Sequence, residues 1–481
     1  MSDFFVMRLF CLIIFLFAVS VQAQNIGQEE QSGNSSIPQN DSIVKVGSIS
    51  LKGNKITKDH IIFRELEFIS GEQLSITELD DKLLKSQQNL MNRSLFNFVT
   101  ISKNGSNEIL NITVEVVERW YIWPIPQFSF ADRNINAWLE SKDFSRLNYG
   151  LDIRVENFRG RMEHLNFVIQ GGYDKKLSVE WVIPYLTKNQ IFGMGTAAGV
   201  QLNRLYAYAT ENNKLVYFDA GNEYAAQQYF GQFDFTFRPK FNFLHTASFS
   251  YHYAHFNDSL LVLNPDFTYG DGDTIYNYFK LAYFYKHDFR DYAPYPLTGY
   301  YFDVGIEKTG LGILNEDVNL WTFRFAFDQY FHLHKRWYFA YNLSTMLSSN
   351  GFQPYFLTTG FGFNEMNIRG YELYAIDGQQ LGLIKSNVKF EIIQRKVHDI
   401  SWIKSEKFSK VFYALYANLF FDMGYASDKL YSENNPLTNQ LLFGTGLGID
   451  FVTYYDLVFR FEFAINKQGD IGFRIGLVAP I

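Results

Sequence analysis

Few residues in this chain are spaced for bond-making chemistry. His332 and His334 share one face of a strand-like run, and His252 lies close before His255, but neither pair has a third ligand near it in sequence. A tetrahedral zinc centre needs at least three protein ligands. Asp266, Asp271 and Asp273 crowd one long connection without the acidic last ligand of an EF-hand loop. There is no Gly-x-Ser-x-Gly nucleophile turn and no glycine-rich phosphate loop. The expectation is a protein that is not an enzyme and uses no cofactor or metal. What remains is a set of charged residues. Arg369 sits in the glycine-rich run from Gly360 to Tyr371, Glu391 and Asp422 share strand parity with Lys389 and Asn418, and Asp288 and Arg290 precede Pro294, Pro296 and Gly299. Such groups act mechanically when withdrawn from water, because each then needs an opposite charge.

The elements that carry them are strands. Aromatics make up 18% of the chain, with Phe 49 and Tyr 32. No apolar run beyond the N-terminus approaches the roughly 18 residues of a spanning helix. Mean hydropathy is only −0.14, yet the average hides an alternation. Phe233, Phe235 and Phe237 alternate with Asp234, Thr236 and Arg238; Trp321, Phe323, Phe325 and Phe327 with Thr322, Arg324, Ala326 and Asp328; Leu457, Phe459, Phe461, Phe463 and Ile465 with Val458, Arg460, Glu462, Ala464 and Asn466. One face greasy and the other polar suits strands between lipid and a wet lumen. The net charge of −7 offers no basic footprint for nucleic acid.

Residues 1–23 read as an export signal: Arg8, an apolar stretch from Leu9 to Val19, then Val21-Gln22-Ala23 before Gln24. The signal carries Cys11, the single cysteine, so the mature chain has no disulfide. Residues 24–42 are rich in Gln, Ser, Asn and Glu and form a disordered linker. Residues 43–119 read as β-α-α-β-β. A strand from Ile43 stops at Gly53-Asn54, and Thr57 caps a helix bearing Ile61, Ile62, Leu66 and Phe68. Thr77 caps a second helix bearing Leu79, Leu83 and Leu90, and strands run from Phe98 to Lys103 and from Ile109 to Val117. From 120 to 481 helical spacing disappears. The aromatic lead-in from Trp120 to Pro126 is followed by strand starts near 151, 165, 177, 193, 214, 230, 245, 276, 299, 318, 336, 380, 410, 440, 454 and 470. That is about sixteen, the even count a single-chain bacterial barrel requires. The longest connections, 257–275 and 348–379, are both odd-numbered and lie on the side away from the N-terminal domain.

The order of residues 43–119, with Gly53-Asn54 after the first strand, Gly71 between the helices, Leu95-Phe96 before the second strand and Glu118 ending the third, resembles a POTRA domain. Ile368-Arg369-Gly370-Tyr371, between the eleventh and twelfth strands, resembles the Val/Ile-Arg-Gly-Tyr/Phe loop of the BamA and TamA superfamily of outer-membrane insertases and translocases. Asp288 and Arg290 with Pro296 and Gly299 resemble that family's turn between the eighth and ninth strands. The chain thus resembles a short, single-POTRA member. The resemblance implies an all-β transmembrane barrel of antiparallel strands behind a small α/β POTRA-like domain. It implies a loop folded back into the barrel, with Arg369 held by Glu391 and Asp422. It further implies a lateral seam between a first strand bearing Leu151, Ile153 and Val155 and a last strand bearing Ile471, Phe473 and Ile475. Unfolded outer-membrane or secreted polypeptides would be clients, outer-membrane lipid the surroundings and accessory assembly subunits the partners, with the N-terminal domain in the periplasm. A passive channel or surface barrel, and a dedicated secretion pore for one partner protein, are the competing readings.

Overall fold

The structure is a computed structural model that describes residues 42–106, 108–130, 146–270, 272–314, 317–349, 351–363 and 366–477. The expected signal, nearly all of the linker and Asp271 lie outside the described residues. The N-terminal domain comprises β1 (Ile43–Lys52), α1 (Asp59–Phe63), β2 (Gln73–Ser75), α2 (Ile76–Met91), β3 (Phe96–Gly105) and β4 (Ile109–Glu118). Its sheet runs β2-β1-β4-β3, with β1 and β4 parallel and the other pairs antiparallel. Val46, Ile61, Ile62, Leu79, Phe96 and Val114 are buried between the sheet and the helices. Gly53 ends β1 at φ +89, and a Cβ there would lie 1.9 Å from the Val116 carbonyl oxygen, so β4 can pass only a glycine. Two caps differ from expectation. Ser75, not Thr77, caps α2 by accepting from the Glu78 N–H, and α1 starts after Lys58 with no side-chain cap. Thr57 has another role. Its N–H donates to Glu118 at 2.6 Å and its hydroxyl meets Tyr121 and Asn157, tying the domain to the strands beyond residue 120.

Those strands form one sixteen-stranded antiparallel sheet. They are β5 (Ile122–Phe130), β6 (Leu147–Phe158), β7 (Glu163–Gly172), β8 (Lys175–Ile183), β9 (Phe192–Asn203), β12 (Ala226–Phe237), β13 (Phe243–Phe256), β14 (Ile275–Asp288), β15 (Gly299–Thr309), β16 (Leu320–His334), β17 (Trp337–Ser348), β20 (Gln380–Asp399), β21 (Lys410–Ser427), β22 (Leu441–Thr453), β23 (Val458–Asn466) and β24 (Ile471–Leu477). Outside the wall are the hairpin β10 (Leu205–Glu211) and β11 (Lys214–Asp219), the short pair β18 (Gly360–Phe361) and β19 (Ile376–Asp377), and helices α3 (Asp258–Leu263) and α4 (Glu406–Ser409). The expected count holds, but through two compensating errors. The run near 214 belongs to a hairpin that leaves the wall, and the true first strand is β5. Pro124 and Pro126 argue against a strand there, yet β5 lies at the edge of the sheet, where a missing N–H is tolerated. Leu151, Ile153 and Val155 therefore lie on the second strand, paired on both sides.

The wall is inverted relative to a soluble protein. Phe233, Phe421, Phe461 and Phe463 are exposed, whereas Asn387, Lys389, Asp422, Asp450 and Glu462 are buried on the inner face. Exposed aromatics outside and packed charges inside are what a cylinder in hydrocarbon requires.

Candidate functional site

The connection between β17 and β20 folds into the barrel and carries Arg369 to its inner wall. The guanidinium makes paired bonds to Asp422, Nε to Oδ2 at 2.8 Å and Nη2 to Oδ1 at 2.5 Å, while Nη1 donates to Asn387 Oδ1 at 2.9 Å and Glu462 Oε1 at 3.1 Å. It lies 3.9 Å over the Phe420 ring. Ile368 and Tyr371 are buried beside it, and the Tyr371 hydroxyl donates to Gln468 at 2.6 Å. Gly370, at φ +93, passes its carbonyl to Asn466 at 2.9 Å. The wall makes room with glycines of its own: a Cβ on Gly424 would reach Ile368 at 2.4 Å, and one on Gly444 would reach the Arg369 carbonyl oxygen at 1.9 Å.

Of the two carboxylates expected on Arg369, only Asp422 is there. Glu391 faces the same lumen but bonds Tyr416 at 3.3 Å. In register, Asp422 sits opposite Lys385 and Glu391 opposite Tyr416, so Glu391 lies six residues, roughly 20 Å, further along the wall. The second carboxylate is Glu462, whose only sequence signal is its polar parity between Phe461 and Phe463.

The turn between β14 and β15 also enters the barrel. Arg290 clasps Asp288 at 2.8 and 2.7 Å and lies 4.5 Å over Tyr301. Gly299 closes the turn at φ +97, where a Cβ would meet the Phe289 carbonyl oxygen at 2.0 Å. Pro296 is buried, and it comes directly after Tyr295, whose hydroxyl donates to Asp450 at 2.9 Å. Asp450 holds Arg460 at 2.9 Å, and Arg460 lies 3.9 Å from Glu462. A chain of alternating charge therefore joins Arg369 to Tyr295 along the inner faces of β21, β22 and β23.

Both ends are covered. The N-terminal domain rests on the even-numbered connections. Glu65, fully buried, is gripped by Arg238 at 2.8 and 3.0 Å and lies 3.2 Å from Arg93. Burial alone would raise its pKa, but Arg93 and Arg238 outweigh burial and hold it at about 2. Asn92 bonds the β14–β15 turn through the Arg290 carbonyl and the Ala293 N–H. Asp456, in the turn between β22 and β23, accepts from Arg119 at 2.6 and 2.8 Å, from Ser94 at 2.7 Å and from Tyr292 at 2.6 Å. At the far end the β10–β11 hairpin crosses to other connections. Asn213 accepts from the Ala375 and Leu437 N–H groups, and Asn435 donates to the Thr210 carbonyl. The histidines serve as packing partners here, His252 on Tyr278 and His332 on Tyr338.

One place in the wall is open. Among the described residues no ladder joins β5 to β24; each pairs on one side only, β5 with β6 and β24 with β23. Ile471, Phe473 and Ile475 lie on β24, one of these two end strands, whereas Leu151, Ile153 and Val155 lie on β6 and not on the other end strand.

A family model described as the Omp85 superfamily domain matches residues 157–477, and one described as surface antigen variable number repeat, a POTRA unit, matches residues 44–119. The chain belongs to the Omp85 superfamily. As an Omp85 protein it is an outer-membrane β-barrel behind a POTRA domain. Among solved structures it is similar to CdiB from Escherichia coli, at 10% identity and a TM-score of 0.51 over 91% of this chain and 75% of that one. It is also similar to BamA from Haemophilus ducreyi lacking POTRA domains 1-3, at 14% identity and a TM-score of 0.47 over 90% and 83%. No curated protein matches the chain. In this Omp85 barrel, parity puts Asp422, Arg460 and Glu462 on the polar face but does not show that Glu462 meets Arg369, and it does not single out Asp450 or Tyr295. The contacts of the POTRA domain with the barrel, carried by single residues such as Glu65 and Asp456, have no periodic signal at all.

Proposed function

We propose that this Omp85 protein receives unfolded polypeptide segments at the seam between β5 and β24 and passes them into or across the outer membrane, without bond-making chemistry or a cofactor. The domain-bearing end faces the periplasm in this reading, and the β10–β11 end faces outward. The observation that carries it is the pair of unladdered edges within a lipid-facing wall. Backbone groups that hydrocarbon leaves unsatisfied favour pairing with an incoming strand. Membership of the superfamily supports the same class of work. The two connections that fold into the lumen and the segments that cross both ends argue against a passive channel. Secretion of one dedicated partner through the lumen is the second reading, and it requires the β10–β11 hairpin to lift.

The test is a chemical bridge across the seam. Cysteines at Gln127 and Arg474, joined by a bismaleimide, should stop client assembly while leaving the folded protein in the membrane. Normal assembly with the bridge in place rules the reading out. Depletion and then comparison of outer-membrane and secreted proteins separates insertion from secretion.

A further inference from the structure

Cations outnumber carboxylates where the POTRA domain meets the barrel. A cavity of about 190 Å³ lies there, between the end of α2, the turn after β12 and the turn after β14. Arg93, Arg238, Lys286 and Arg290 line it, and Asp288 is the one carboxylate among the lining residues. Glu65 stands behind Arg93 and Arg238 with no exposed surface. Both of these carboxylates are already answered. Arg238 takes both oxygens of Glu65, at 2.8 and 3.0 Å, and Arg290 takes both of Asp288, at 2.8 and 2.7 Å. That leaves Arg93 and Lys286. Arg93 lies 3.2 Å from Glu65 through Nε, which is not aligned for a hydrogen bond, and its Nη2 donates at 3.3 Å to the Phe241 carbonyl, which carries no net charge. Lys286 comes no nearer than 3.9 Å to Asp288, and Asp303, its partner in register, attracts it from further off. The two cations repel each other across the cavity. Arg93 is repelled further by Arg238 and by Arg64, whose guanidinium donates to the Arg238 carbonyl at 3.2 Å. Like charges drawn out of bulk water need a counter-charge.

We infer that this cavity binds a phosphate group, and that the bound phosphate braces the POTRA domain against the barrel. At about 190 Å³ it is smaller than the roughly 300 Å³ that a drug-sized ligand needs, so the occupant is a small group. Arg93 comes from the domain and Lys286 from the inner face of the barrel wall. A phosphate carries oxygens on every side and meets both at once, whereas a carboxylate offers its two oxygens to one side. Two sources carry that chemistry. Phe243 also lines the cavity, shares the outward parity of Phe249 and stacks on His287 at 4.3 Å, while Phe289 stacks on Tyr300 at 5.2 Å. Outward rings of this kind mark the headgroup level of a barrel wall. A phospholipid headgroup is therefore one source, and free phosphate is the other.

The test uses the full chain in maltoside micelles at fixed ionic strength, titrated with inorganic phosphate in one arm and with dihexanoyl phosphatidylglycerol in the other. Hydrogen exchange of the amides from 89 to 94 reports on the joint, and at least one titration should slow it to a saturating plateau. Lys286→Gln removes a cation that makes no hydrogen bond to the protein. It should raise the half-saturating concentration by roughly tenfold to a hundredfold, the share of one charge-assisted bond. Lys286→Arg keeps the charge and should bind nearly as well as the wild type. Saturation by the lipid alone supports a headgroup site, and saturation by inorganic phosphate supports a site for the phosphate group by itself. No slowing in either arm would overturn the inference. So would equal half-saturation in the wild type and Lys286→Gln, or a Lys286→Arg protein as weak as Lys286→Gln.

Discussion

Arg369→Ala removes one cation from between two buried carboxylates. Asp422 loses both side-chain bonds and keeps only the Arg369 backbone N–H at 3.0 Å, and Glu462 keeps Arg460 at 3.9 Å. Breaking a buried pair by deleting one partner costs about 3–5 kcal/mol, chiefly because the charge left behind is unpaired. At about 1.4 kcal/mol per tenfold, opening of the β17–β20 connection should become roughly a hundred- to several-thousand-fold more frequent. Hydrogen exchange of the amides from 366 to 371 in the folded protein measures this directly, as lost protection confined to the loop. Adding Asp422→Asn, Glu462→Gln and Lys385→Met to Arg369→Ala should recover most of it, since the two carboxylates and the buried ammonium beside them are then all neutral. Unchanged exchange in Arg369→Ala would mean that apolar packing of Ile368 and Tyr371 holds the loop. Failure of this neutral variant to recover would refute the unpaired-charge account.

Gly444→Ala should release the same loop without touching any charge, because its Cβ would press on the Arg369 carbonyl, which is backbone and gives little; the same exchange measurement applies. Glu65 has a pKa held at about 2 against an ordinary 4.5, so its contribution to docking of the POTRA domain is complete above pH 4.5 and disappears as pH falls towards 2. Glu65→Gln should undock the domain at neutral pH by about 3–5 kcal/mol, read by fluorescence transfer between the domain and the barrel. Asp377 runs the other way. Burial, reinforced by Asp428, raises it to about 7 although Thr210 donates to it. The far-end cover should therefore be tightest below pH 3.8 and loosen as pH rises through 7. Asp377→Asn should flatten that profile in protease sensitivity of residues 205–219.

What can be read in the sequence depends on which signals are local. Period-two alternation is local, and β12, β16 and β23 stand where Phe233, Phe323 and Phe461 place them. Parity puts Asp422 on the lumenal face correctly. Depth along the wall depends on register between strands, which is why Glu391, matched by parity alone, lies some six residues from the cation. The hairpin at 205–219 alternates like a wall strand, and only its partners show that it leaves the wall. β5 is hidden by its prolines, which an edge strand tolerates. Caps fail for a similar reason: Ser75 and Thr77 both suit the start of α2, and the position of β2 decides between them.

The Tyr295 and Arg369 segments come from opposite ends of the barrel and meet along its inner wall through Asp450, Arg460 and Glu462. If the wall parts sideways as proposed, the breach opens towards lipid and leaves this buried charge chain in place. On that reading the lumenal latch and the exit for cargo are separate parts of the same molecule, and weakening one need not compromise the other.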